Sequence, residues 1–281
     1  MTVVVSYSLF DQGNLDLNRL YAYKYGENYL DNIDLHVTYA NQTYSDVYEV
    51  FWSYQGGSYV SSFAGPNLTV TNGLSGTVTG YGESFLNGVS YSPSWGIYDI
   101  EISASEIYGA AATSNTSDDY KLINDALSGD DTFYLSEYSD KAFSLAGNDI
   151  LYGYGGHDTL YGGSGDDILQ GGTGNDTLIG GFGSDRFVFK GTFGHDRVID
   201  FDAAEDTLEI ADDNGLALQI SDLLESVNSN GERVLNTADG QSITLNRAPA
   251  IDLAYNYFYS DSVISYKLSD LITLLNYQDP D

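Results

Sequence analysis

An aspartate recurs every nine residues through the middle of this chain, and that period limits the possible folds more than any other feature. Cut from Ala126 to Val188, the frames begin at Ala126, Leu135, Ser144, Gly153, Gly162, Gly171 and Gly180. Their sixth residues are Asp131, Asp140, Asp149, Asp158, Asp167, Asp176 and Asp185. Their eighth residues are apolar: Phe133, Ala142, Leu151, Leu160, Leu169, Leu178 and Phe187. The fourth is glycine in every frame but one, where Tyr138 stands.

Glycines at positions one, two and four let a six-residue turn fold tightly, because they accept φ > 0. Three residues remain for a short strand, whose middle member, the apolar eighth position, points to one side. Two nonamers then close one coil, and successive coils stack about 4.8 Å apart, as strands do in any sheet. Turns alternate between two edges. Asp149, Asp167 and Asp185 line the first edge, and Asp158 and Asp176 the second. The expected class is therefore mainly β. A β-rich N-terminal domain with capping helices covers 1–125, a parallel β-roll covers 126–210, and a C-terminal cap covers 211–281.

Carboxylates stacked about 5 Å apart repel by roughly 3 kcal/mol per pair at an effective dielectric of 20. The frames offer only Lys141 and Arg186 as cations. A hard divalent cation held by carboxylates and turn carbonyls reverses the sign of that term. With "GGSGDDILQ" and "GGTGNDTLI", the run resembles the RTX calcium-binding nonapeptide repeat. The resemblance implies calcium as the cofactor. It also implies sites between turns two frames apart, with ligands from positions two, four and six of the earlier turn and one, three and six of the later. Position six gives its carboxylate and the others their backbone carbonyls.

Carried onto this chain, one site joins Leu145, Gly147 and Asp149 to Gly162, Ser164 and Asp167. A second, on the other edge, joins Tyr154, Gly156 and Asp158 to Gly171, Thr173 and Asp176. A third joins Gly163, Gly165 and Asp167 to Gly180, Phe182 and Asp185. Two earlier pairings bring in Asp131 and Asp140. Leu127, Gly129 and Asp131 would face Ser144, Ala146 and Asp149, beside the capping helix. Ser136, Tyr138 and Asp140 would face Gly153, Gly155 and Asp158, with Tyr138 where the turn wants glycine.

The balance of 41 acidic against 10 basic residues, a formal charge of −31, excludes nucleic acid as a partner, since phosphate binding needs a basic face. It also disfavours anionic lipid. No apolar run approaches the roughly 20 residues of a membrane span. The chain has no cysteine, so it carries neither disulfides nor a thiol nucleophile. Its start, "MTVVVSYSLFDQGN", lacks the basic region and long apolar stretch of a cleaved signal peptide. The RTX resemblance implies a secreted, extracellular protein that leaves through a type I secretion apparatus, directed by an uncleaved C-terminal signal.

Along residues 1–102, "TVVVSYSLF", "DLHVTY", "DVYEVFWSY", "SYVSSF", "NLTVTNG", "GTVTGYG" and "WGIYDIEI" read as strands, with "DLNRLYAYKYG" as a short helix ended by Gly26. Ser103, three before Glu106, opens a helix through Ala112 as a capping box. Ser117 caps "DDYKLINDAL", with Gly129 just past its end as a C′ residue. A solenoid needs its open end covered, so this second helix is the expected cap of the roll. After Val188 the period loosens to Gly194, Asp196, Val198, Asp206 and Leu208, resembling the segments that close RTX rolls. "ISDLLESVN" reads as a helix, and "RVLNT" with "SITL" as a hairpin. The tail from Ala248 is aromatic, with Tyr255, Tyr257, Phe258, Tyr259 and Tyr266, and ends in "KLSDLITLLNYQDPD".

Neither the zinc-protease nor the lipase motif is present, while paired carboxylates of a glycosidase stay open among the many acids of the first domain. The three histidines, His36, His157 and His195, make no H-E-x-x-H, and neither "GLSG" nor "GGSG" completes a G-x-S-x-G elbow. His157, in the variable fifth position, is expected to be exposed. The expectation is a non-enzymatic extracellular surface, adhesion or matrix protein that folds on calcium and can self-assemble. The alternative is a carbohydrate-binding module using Tyr48, Glu49, Trp52 and Trp95, and the third is an enzyme whose site lies unrecognised in the N-terminal domain.

Overall fold

The eighth residues of the frames build the middle of the molecule. In the computed structural model, which describes residues 3–6, 24–30, 35–37, 42–44, 46–54, 57–65, 68, 75–87, 90–111, 117–211, 217 and 223–246, they form two facing ladders of a parallel β-solenoid. On the first sheet Phe133 pairs with Leu151, Leu151 with Leu169, Leu169 with Phe187, and Phe187 with Leu208. On the second Ala142 pairs with Leu160, Leu160 with Leu178, Leu178 with Val198, and Val198 with Leu245. From Phe133 to Val198 every one of these side chains is wholly buried in one core. From Phe133 to Phe187 and from Ala142 to Leu178 the step between partners is 18 residues, two nonamers, so the period read from the sequence is the register of the sheet there; it lengthens beyond Phe187 and Leu178. A second apolar cluster, Phe143, Tyr161, Ile179 and Ile199, follows the ninth positions of the second sheet.

The N-terminal strands form an antiparallel meander that continues the roll's first sheet. Lys24–Leu30, Asp46–Tyr54, Gly57–Gly65, Thr77–Asn87 and Ser90–Ser103 pair in succession. The strand Val3–Ser6 lies between Ser90–Ser103, to which it is antiparallel, and the roll's first strand Thr132–Tyr134, to which it is parallel. Among the described residues the result is one sheet of 11 strands. Among the described residues two helices, Ala104–Ala111 and Ser117–Ala126, join the meander to the roll. Ala104, Ile107 and Leu127 are buried in the common core, with Leu122 and Ala126 packed against it. The second helix packs against this common core, and the end of the roll's first sheet is covered by Val3–Ser6.

Three expectations need correction. Leu224–Val227, read as part of a helix, is a strand antiparallel to Arg233–Asn236. An apolar spacing that fits a helix is overridden there by hairpin chemistry. The Asn228 Oδ1 accepts the N–H groups of Asn230 and Glu232, each at 3.0 Å, and Gly231 turns the chain at φ 82°. The expected hairpin of Arg233–Asn236 with Ser242–Leu245 is present. Lys24 to Gly26, read as the end of a helix, belong to a strand with a register shift; the rest of that segment lies outside the described residues. Gly129 follows the helix but does not take the left-handed conformation of a C′ glycine. Of "NLTVTNG" only Leu68 is described, buried and not in a strand. The aromatic tail from Ala248 also lies outside the described residues. Among the described residues no helix is long and apolar enough to cross a membrane.

Candidate metal centre: the two edges of the roll

Each turn edge is a stack of backbone carbonyls with one carboxylate per coil. At positions two and four the left-handed backbone aims the carbonyl along the roll axis at the next coil. A Cβ added to Gly163 (φ 113°) would lie 2.0 Å from the Leu145 carbonyl oxygen, and one on Gly165 (φ 129°) 1.9 Å from that of Gly147. Leu145 (φ 77°) and Tyr154 (φ 68°) hold the same conformation without being glycine, at a cost of about 1–2 kcal/mol each.

The carbonyls of positions one and three point the opposite way. The Gly180 oxygen lies 2.7 Å from a Cβ built on Gly162. The Ser164 and Phe182 oxygens accept the N–H groups of Gly147 and Gly165 at 2.9 and 2.8 Å. The layer between two turns thus receives carbonyls from above and below. An amide oxygen that already accepts one hydrogen bond keeps a second lone pair, so these groups remain competent donors to a cation.

The aspartates form a ladder of their own. On the first edge the N–H of Asp131 donates to Asp149 Oδ1 (2.7 Å), Asp149 to Asp167 (2.8 Å), and Asp167 to Asp185 (3.0 Å). On the second, Asp140 donates to Asp158 and Asp158 to Asp176, both at 2.8 Å. This ladder uses one carboxylate oxygen. The other, Oδ2, is buried with no hydrogen-bond partner in Asp149, Asp158, Asp167 and Asp176. Ionised carboxylates left so are costly. Accordingly burial, reinforced for most by the neighbouring aspartates, pushes Asp149 and Asp185 up to about 7, Asp158 and Asp167 to about 8, and Asp176 to about 6. Arg186 and Lys190 are engaged with Glu209 on the sheet face rather than with this ladder. Among the described residues no three acidic or histidine side chains converge on one point; carboxylates are spread one per coil. A cation here would take most of its ligands from the backbone, which fits the oxygen-rich, irregular shell that calcium accepts.

The earliest turns differ from this pattern. Asp140 Oδ2 accepts both the N–H (2.8 Å) and the hydroxyl (2.7 Å) of Ser136, so that turn satisfies its own carboxylate. Tyr138, at its fourth position, is exposed. On the first edge, Gly129 keeps its carbonyl directed at the next coil, 2.2 Å from a Cβ built on Gly147, while Leu127 is buried in the core.

The strict nine-residue count stops at Val188, and two aspartates of the loosened period, Asp196 and Asp206, continue the ladder. Two extra residues after Val188 shift the frame to Gly191, and "GTFGHDRVI" is then a complete nonamer. Its Asp196 Oδ1 accepts the Asp176 N–H at 2.8 Å, and burial beside Asp176 pushes its carboxyl up to about 9. On the first edge Asp206 accepts the Asp185 N–H at 3.0 Å. Asp200 takes the N–H groups of Gly180 and Gly181, at 3.0 and 2.8 Å, where the next strand has ended. Realigning by two residues is the signal that finds Asp196.

Fifth positions make a second, exposed ladder beside the first. Asn148 N–H donates to Asp130, Asp166 to Asn148, and Ser184 to Asp166. On the other edge His157 is exposed, as expected, and its Nδ1 accepts the Asn175 N–H at 2.8 Å. It thus fills the place taken elsewhere by an Asx oxygen.

Residues 125–160, 136–169 and 161–198 match the family model described as the RTX calcium-binding nonapeptide repeat (4 copies). None of the curated proteins matches the chain. The solution structure of the AlgE6R3 subunit from the Azotobacter vinelandii mannuronan C5-epimerase is 30% identical, over 42% of this chain and 71% of that one, with a TM-score of 0.19. Aspartate period, strand register and carbonyl-lined edges agree with the matched repeats: the chain is a calcium-binding protein of the RTX nonapeptide-repeat family.

Proposed function

We propose that this RTX protein is exported through a type I secretion apparatus with its roll unfolded, and that extracellular calcium folds the roll by occupying the layers between turns. The observation that carries this reading is the set of buried Oδ2 atoms of Asp149, Asp158, Asp167 and Asp176, which have no partner in the folded chain. Folding without a cation leaves four such oxygens in a low-dielectric layer; a cation bound to the native state alone stabilises it by mass action. The proposed ligands are the three sets given by the repeat: Leu145, Gly147, Asp149 with Gly162, Ser164, Asp167; Tyr154, Gly156, Asp158 with Gly171, Thr173, Asp176; and Gly163, Gly165, Asp167 with Gly180, Phe182, Asp185. A fourth follows from the shifted frame, joining Gly172, Gly174 and Asp176 to Gly191, Phe193 and Asp196. The Gly174 carbonyl, 1.9 Å from a Cβ built on Gly194, supports it. Calcium in these layers would neutralise the carboxylates and be coordinated by the carbonyls of both turns.

The proposed role of the whole protein is a non-enzymatic surface, adhesion or matrix component. Support comes from the missing catalytic motifs and from His157 and His195, whose ring nitrogens are held by Asn175 and Ser242. Circular dichroism in chelator and then in millimolar calcium tests the folding step. A gain of β signal and a higher melting temperature are expected. An unchanged spectrum and melting point would overturn the reading.

A further inference from the structure

Two sheets carry the core ladders of the roll, and among the described residues only the first is continued beyond its first coil. The second begins at Lys141–Phe143, with no strand before it among the described residues. The first is continued by Val3–Ser6, which pairs Val3 with Thr132, Val4 with Phe133 and Val5 with Tyr134. The same strand pairs Val3 with Tyr98, Val4 with Ile97, Val5 with Gly96 and Ser6 with Trp95 on its other side. Val4 is wholly buried in the cluster that holds Phe133 and Leu151. The pairing lies next to the aspartate ladder: Asp131 directly precedes Thr132, gives its N–H to Asp149 Oδ1 at 2.7 Å, and accepts the Ile150 N–H at 2.9 Å.

We infer that Val3–Ser6 is a latch that couples calcium loading of the roll to the stability of the antiparallel meander. The inference rests on the proposal that calcium folds the roll. Its physical basis is a shared strand. The strand has two partners, one from each part of the molecule, and it gains its full set of hydrogen bonds and buries Val4 only when both are in place. Ordering Thr132–Tyr134 by calcium therefore builds one wall of the slot, and the docked strand orders Ser90–Ser103 on the other side. Coupling of this kind is reciprocal: a latch that tightens the meander on calcium binding also tightens calcium binding when the strand is docked. The N-terminal part, which holds none of the proposed ligands, thereby becomes calcium-responsive.

Hydrogen exchange of the full chain, in chelator and in saturating calcium, tests the inference with Val4→Asp beside the unaltered protein. In the unaltered chain calcium should slow exchange in 90–103 as well as in 150–188, by about tenfold or more, within the usual range of coupling between sites. In Val4→Asp the gain at 90–103 should vanish, while 150–188 still gains protection at a calcium midpoint raised several-fold. Should Val4→Asp not fold, Val4→Ala keeps the strand and should show both effects in smaller measure. Protection gained at 150–188 but not at 90–103 in the unaltered chain overturns the latch and leaves the calcium reading standing. An equal gain at 90–103 in the Val4 variants also overturns the latch. No gain in either region removes the calcium reading and the latch together.

Discussion

Asp167 and Asp140 occupy the same repeat position and should behave differently when removed. Asp167 accepts the Asp149 N–H through Oδ1 and leaves Oδ2 buried and unpartnered, between two proposed ion layers. Asp140 spends its Oδ2 on the N–H and hydroxyl of Ser136. Asp167→Ala should lower the number of bound ions and raise the calcium needed for folding. Asp140→Ala should cost about 1–3 kcal/mol by stranding the Ser136 donors, with a smaller change in the calcium midpoint. Calcium titrations followed by circular dichroism check this, and equal midpoint shifts would show that the frames are wrongly assigned to sites. The ion-free ladder also has a definite pH dependence. Asp149, Asp158, Asp167 and Asp185 sit at about 7 to 8 in the folded chain, against about 3.9 for an unfolded aspartate. Between those values the folded state binds more protons than the unfolded one, so stability falls as pH rises through that window. In chelator the folded fraction of the roll, read as β signal by circular dichroism, should be larger at pH 5 than at pH 8. With calcium present the trend should weaken or reverse, because protons then compete with the ion for the same oxygens.

Turns and strands show how far local rules carry. The position-four glycines look alike in sequence, yet their surroundings differ. A Cβ on Gly165 would stand 1.9 Å from the Gly147 carbonyl at φ 129°, whereas one on Gly129 meets nothing within 4 Å. Gly165→Ala should therefore lower the melting temperature in saturating calcium by many degrees, and Gly129→Ala should stay within about 0.5 kcal/mol, as surface changes do. A parallel melt of the two variants decides it; equal losses would mean that the repeat tolerates no side chain for some reason other than coil spacing. The same contrast explains what the sequence revealed. Coil register was legible because each coil repeats its neighbour, so the nine-residue period is the pairing rule. The first-edge aspartate ladder was legible for the same reason. Asp196 was legible only as part of the loosened period and not as a member of a site, since two inserted residues break the count while the three-dimensional ladder closes over them. The pairing of Val3–Ser6 with Thr132–Tyr134 could not be read either: the strand itself is plain from its valines, but no local rule says which distant strand it joins. At Leu224–Val227 the helical spacing was real, and the Asn228–Gly231 turn with the pairing to Arg233–Asn236 outweighed it.

The whole molecule carries a formal charge of −31, and the ladders concentrate part of it inside. Self-repulsion of that size favours an expanded chain. Two separate remedies exist: general screening by salt, which acts on the exposed acids, and specific binding in the turn layers, which acts on the buried ones. Screening falls off over a Debye length of about 8 Å at 0.15 M salt. It cannot partner an Oδ2 from which solvent is excluded. Magnesium shares the charge of calcium but requires near-ideal octahedral geometry and gives up its water reluctantly. A layer of fixed carbonyls with one carboxylate from each neighbouring turn suits it poorly. The expected outcome is a hydrodynamic radius that is large in chelator, shrinks modestly on adding sodium chloride, and collapses only with calcium. Magnesium at the same concentration should do little more than sodium chloride of matched ionic strength. Dynamic light scattering of the full chain under these four conditions measures it. Compaction by magnesium equal to that by calcium would show that charge neutralisation alone folds the roll. Large calcium-dependent particles in place of a compact monomer would instead place calcium between molecules, as a self-assembling matrix protein requires.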